Sequence, residues 1–212
     1  MFKAMQRCIW LMAVLLLLGS CDELAVEQDV LSTLKKIAAY EHNAVDQQKK
    51  LNELEQKQNK LYDQIMSYGM KQFTKVEQLS KESLELIKER DKHIEKEHKA
   101  IQSAKREINA IKKKINQLHD GNIRRQATRL VDIEKKRYET YDDLYLHYKE
   151  MLSLEKDLYI LLQNRHTTPE QLQRHIEHVN EQYKKLIGAN RQFNEDTETY
   201  NKEMKRLYHM WK

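Results

Sequence analysis

The chain has 212 residues, with 38 lysines and arginines against 33 aspartates and glutamates, and it carries four glycines and one proline. Ordinary domains hold about 12% glycine plus proline, so this scarcity excludes most turn-rich β architectures and points to a few long helices. The two charge signs nearly cancel and the apolar residues recur periodically, which separates the sequence from a disordered chain.

Residues 1–20 read as an export signal. Lys3 and Arg7 give a basic start, and Ile9 to Leu18 is an unbroken apolar run of ten residues, too short to span a bilayer. The run ends in Leu18-Gly19-Ser20-Cys21. This resembles a bacterial lipobox, in which a diacylglyceryl group joins the cysteine and cleavage leaves Cys21 as the first residue. The same residues also admit an ordinary cleaved signal with an incidental cysteine. The other thiol, Cys8, lies in the removed segment, so no internal disulfide is expected. Two acyl chains, at about 0.8 kcal/mol per buried methylene, would hold the protein firmly on a membrane. Export removes nucleic acid from the expected partners, and no other apolar stretch approaches 18 residues. The expected organisation is a signal peptide over 1–20, a lipid-anchored start and short tether over 21–30, and a single helical bundle domain over 31–212.

Beyond Cys21 the breakers Gly69, Gly121 and Pro169 fall at nearly even intervals, leaving segments 22–68, 70–120, 122–167 and 169–212. In the second segment Phe73, Ser80, Ile87, Ile94, Ile101, Ile108 and Ile115 recur every seven residues, with Val76, Ala104, Ile111 and Leu118 completing the seam. The fourth repeats the pattern through Leu172, Val179, Leu186, Phe193, Tyr200 and Leu207. The third runs through Ile123, Leu130, Leu144, Met151 and Leu158, and the first through Val30, Ile37, Ala44, Leu51 and Ile65. The spacing predicts an all-α fold: a long antiparallel four-helix up-and-down bundle with coiled-coil-like packing, preceded by a signal peptide.

Thr168-Pro169-Glu170-Gln171 reads as a capped helix start and Asp120-Gly121-Asn122 as a turn. Gly69 is open to two readings, a turn or a tolerated helix glycine that would fuse the first two segments. Gly188 reads as a close-packing point. Arg90 and Glu97 interrupt the seam, and pairing about Gly69 sets them opposite residues 41–48. Such a layer fixes register or, on the second reading, lines a binding cavity.

Tyr138, Tyr141, Tyr145 and Tyr148 form a stripe at helical spacing. It is either a glycan-stacking face or the border of the core. His175 and His178, three apart, read as surface histidines, and neither a metal site nor a cofactor is expected. No phosphate loop, nucleophile elbow or zinc-protease motif is present, so an enzyme is not expected.

Lys99 to Arg137 holds twelve basic and four acidic residues, while Glu139 to Asp157 holds six acidic and two basic. Lys112, Lys113 and Lys114 suit a helix C-terminus, but Arg124 and Arg125 oppose the dipole of the following helix. In an up-and-down bundle these residues gather with Arg129, Lys205, Arg206 and Trp211 at the end from which Cys21 departs. That basic end is expected to contact anionic lipid, the phosphate backbone of teichoic acid, or a protein. The other end, near Tyr68 and Arg165, would face the wall.

Leu61-Tyr62-Asp63-Gln64-Ile65, Gly69-Met70-Lys71-Gln72-Phe73, Lys136-Arg137-Tyr138-Glu139, Tyr141-Asp142-Asp143-Leu144-Tyr145 and Asn190-Arg191-Gln192-Phe193-Asn194, together with the lipobox, resemble the YkyA family. These are lipoproteins of Gram-positive bacteria described as cell-wall binding. The resemblance spans essentially the whole mature chain. It implies an all-helical, lipid-anchored domain on the outer face of the cytoplasmic membrane, and it offers no catalytic residues. The expected role is a binding or scaffold module for wall polymer or teichoic acid. An extracytoplasmic holdase or protein-interaction scaffold is the alternative.

Overall fold

The computed structural model describes residues 25–211; the expected signal segment and Cys21 lie outside them. Four helices make up the fold: α1 (Ala25–Tyr68), α2 (Phe73–Ile115), α3 (Gly121–Leu162) and α4 (Pro169–Met210). A short 3-10 turn, Met70–Gln72, separates α1 from α2, and no strand occurs among the described residues. The fold is the expected all-α four-helix bundle. Residues 25–30, expected as a tether, are already helical, and Val30 is fully buried, so the start of α1 is tied to the core.

Each joint has a local cause. Gly69 adopts φ +56, a backbone conformation that a Cβ disfavours, and its N–H bonds to the Ile65 carbonyl at 3.1 Å. Gly69 is therefore a turn, and α1 and α2 do not fuse. Before α3, one Asp120 carboxylate oxygen accepts from the N–H groups of Asn122 at 2.6 Å and Ile123 at 3.0 Å. At α4 the capping box closes in both directions: Thr168 N–H donates to Gln171 Oε1 at 2.9 Å, and Gln171 N–H to Thr168 Oγ1 at 3.2 Å.

The chain divides into two compact units, and every helix contributes a segment to each. The first unit comprises Gln47–Lys96 and Asp143–Asn190; the second comprises residues 25–46, Glu97–Asp142 and 191–211. In the first, Gln47 meets His93 at 2.8 Å and Glu55 approaches Arg90 at 3.8 Å, so α1 and α2 run antiparallel. His147 with Gln182 and Leu154 with His175 show the same sense for α3 and α4. In the second unit, Asp29 with Lys114 at 2.8 Å and Lys36 with Glu107 at 2.6 Å establish it for α1 and α2. Gln126 with Glu203 and Lys136 with Asp196 do so for α3 and α4.

The heptad seam is the core. Ile87 and Ile94 in the first unit, and Ile101, Ile108 and Ile115 in the second, are each no more than 5% exposed. Each such side chain contributes about 1.5–3 kcal/mol on burial, which offsets the polar residues sharing the interior. Gly188 departs from expectation. It is exposed, and a Cβ there would meet nothing within 4 Å, so no helix packs closely against it.

Candidate functional site

The first unit encloses a polar layer centred on Arg90. Its Nε donates to the Tyr148 hydroxyl at 3.0 Å, Nη1 bonds to Glu155 Oε2, and Nη2 lies 3.8 Å from Glu55 Oε1. Tyr148 in turn donates to Glu55 Oε1 at 2.8 Å. Burial opposes the charge on Arg90, but Glu155, Tyr148 and Glu55 outweigh it and hold the guanidinium above its ordinary value. Burial also pushes the Glu55 carboxyl up, against the pull of Arg90. A cleft opens on this layer, lined by Glu55, Gln58 and Asn59 of α1, Arg90 of α2, Met151 and Glu155 of α3, and Tyr183 and Leu186 of α4.

This corrects the expected register. Arg90 meets Glu55 rather than residues 41–48, because the 3-10 turn after Gly69 moves the hairpin axis along α2.

The second unit has its own layer, centred on Arg137. Nε and Nη2 bond to the two oxygens of Glu134, both at 2.7 Å. Nη2 also reaches Glu41 Oε1, which accepts from the Tyr138 hydroxyl at 2.8 Å. The guanidinium lies 4.7 Å from the Tyr200 ring centre and 5.8 Å from that of Phe193. Burial lowers Arg137 from its ordinary value and pushes the Glu134 carboxyl up to about 8. Sequence reasoning missed this residue, yet a signal existed: Arg137 falls in the α3 seam register between Leu130 and Leu144. Gln58 falls likewise between Leu51 and Ile65 of α1.

The tyrosine stripe is core rather than a stacking face. Tyr138 and Tyr141 in the second unit and Tyr148 in the first are buried, because their spacing merges with the seam that faces the other helices. Tyr145 is half-buried and donates to Glu95 at 2.7 Å. Glu95 and Asp91 together hold Lys149. His175 Nε2 bonds to the Leu154 carbonyl oxygen at 2.8 Å, and His178 is exposed. Among the described residues no three His, Cys, Asp or Glu side chains are grouped to hold a metal ion.

In the second unit the C-terminus of α2, the N-terminus of α3 and the C-terminus of α4 collect the basic residues. Lys114 bonds to Asp29 and to Thr33 of α1. Arg206 and Arg129 lie 2.6 and 3.4 Å from the buried Glu203 carboxylate, whose pKa the Gln126 amide and both arginines lower. Arg124 donates to the Leu118 carbonyl at 3.0 Å, and Arg125 bonds to the Asn122 side chain. The conflict with the helix dipole is thus relieved for Arg124 by an orphan carbonyl of the preceding turn. The side chains of Lys112, Lys113 and Lys205 are exposed and form no ion pair or hydrogen bond with described residues. Trp211 is half-buried. No helix of the described residues is long and apolar enough to cross a membrane.

These features define a class: an all-α four-helix bundle with buried arginine–carboxylate layers and a basic cluster of helix ends. The chain belongs to the YkyA family, described as "Putative cell-wall binding lipoprotein", which it matches over residues 25–210. It is 32% identical over 196 residues to the uncharacterized lipoprotein YkyA of Bacillus subtilis (strain 168), covering 92% of this chain and 88% of that one. A 1.6 Å crystal structure of a conserved protein of unknown function from Staphylococcus aureus shares the fold. Its TM-score is 0.74 at 21% identity, over 90% of this chain and 97% of that one.

Proposed function

We propose that the protein is a lipoprotein anchored through Cys21 on the outer face of the cytoplasmic membrane. There it uses the basic cluster of its second unit to hold the phosphate backbone of a wall polymer of the teichoic acid type. The observation that carries this reading is that exposed Lys112, Lys113 and Lys205 share a cluster of helix ends with Arg124, Arg125, Arg129 and Arg206. This cluster includes the first turns of α1, a helix that begins four residues after Cys21. Cations on exposed, unpaired stems are free to meet phosphate, and each such contact contributes about 1 kcal/mol at moderate salt. The family description supports a binding role and membrane attachment, and it assigns no chemistry.

Cosedimentation of a lipid-free 24–212 fragment with purified sacculi, across a salt series, tests the reading. Binding should disappear when teichoic acid is extracted and should weaken at least tenfold in a Lys112→Glu, Lys113→Glu, Lys205→Glu variant. These lysines are preferred to Arg124 because their reversal breaks no internal bond. Equal binding to extracted sacculi, or an unchanged triple variant, would sink the proposal. Anionic vesicles in parallel report whether lipid competes for the same lysines.

A further inference from the structure

We infer that the cleft of the first unit is a binding site for a primary ammonium group carried on an unbranched aliphatic stem. The argument begins with charge. Glu55 and Glu155 both face the cleft, while Arg90 is the one cation lining it. Arg90 is already engaged by Glu155 and by the Tyr148 hydroxyl. The lining therefore carries one carboxylate more than it has positive charge, which repels an anion and favours a cation.

Hydrogen bonding narrows the class. Gln58 is 4% exposed, its amide NH2 is turned to the Tyr159 hydroxyl, and its carbonyl oxygen has no hydrogen-bond partner among the described residues. That oxygen is left to accept from a ligand donor. An ammonium head carries three donors, enough for the two carboxylates and this carbonyl.

Size and lining select the rest. The cavity volume is about 20 Å³, room for one group the size of water, which an –NH3+ head matches and a guanidinium does not. Met151, Leu186 and the ring of Tyr183 supply apolar walls for the stem. Burial pushes the Glu55 carboxyl up, and a bound ammonium would act in the opposite direction, as Arg90 does. No three carboxylate or imidazole groups converge among the described residues, which disfavours a divalent metal.

The test is a titration of the lipid-free chain with n-butylammonium chloride, followed by NMR of the Gln58 side-chain amide. Saturable shifts with a millimolar dissociation constant are expected. Matched n-butanol, potassium chloride and tetramethylammonium chloride should produce none. Glu55→Gln and Gln58→Leu should each weaken binding at least tenfold, and if the first variant fails to fold, the second decides. Nα-acetyl-lysine amide and ethanolamine then identify the source, a peptide side chain or a headgroup amine, and tighter binding of either supports the proposal. The idea is overturned by the absence of a saturable shift, by an equal response to butanol or an inorganic or quaternary cation, or by unchanged affinity in Gln58→Leu. The basic cluster plays no part in this experiment, so its outcome is independent of the sacculus assay.

Discussion

The two units solve one problem, a buried arginine, in different ways. In the first, Arg90 is shared among Glu55, Glu155 and Tyr148 beside an open cleft, and its charge is reinforced by these neighbours. In the second, Arg137 is closed in by Glu41, Glu134 and three aromatic rings, and burial works against its charge. Both layers hold two carboxylates to one fully buried guanidinium, so the difference lies in how far the neighbouring charges offset desolvation. A layer that reaches a cleft has room for a ligand; a sealed layer fixes helix register and holds a proton.

The largest effect should separate the layers directly. Arg137→Met leaves Glu41 and Glu134 buried without a cation and should cost about 3–5 kcal/mol in urea denaturation. Arg90→Met should cost roughly half as much, because the cleft lets water reach Glu55 and Glu155. Equal losses would erase the distinction between a sealed and an open layer.

Titration sharpens the contrast. Glu134 rises from an ordinary 4.5 to about 8 in the fold, so folding takes up a proton between those values. Its stabilising contribution is complete below pH 4.5 and is lost as the pH climbs through 8. Denaturation midpoints should therefore fall from pH 5 to pH 8, and Glu134→Gln should flatten that slope by about one proton. Glu55 is raised as well, so Glu55→Gln should reduce the slope in the same direction.

Two smaller effects test the local frame of the first unit. Thr168→Ala opens the capping box and should cost about 1 kcal/mol. Gly188→Ala, in an exposed helical position with free space around the added carbon, should stabilise by about 0.5–1 kcal/mol. A loss at position 188 would restore the close approach that the sequence suggested.

Much of the fold was legible from local chemistry. The Thr168–Gln171 box, the Asp120 cap and the seven-residue isoleucine repeat act within a helix turn or along one face, so they can be read without knowing the partner helix. The sequence by itself therefore determined the number of helices, their approximate ends and the apolar seam. It also marked Arg90 as a charge within that seam, but it left Gly69 open, since helical spacing nearly continues through it and φ +56 appears only when the chain reverses.

The tertiary structure decided which residues face each other. The length of the 69–72 connection sets the α1–α2 register, so Arg90 meets Glu55 and Glu41 is left for Arg137. Helix rotation decides whether a stripe at core spacing points inward, and it buried Tyr138, Tyr141 and Tyr148. Those outcomes depend on contacts between residues 58 to 97 positions apart in the chain, a separation over which no local propensity acts.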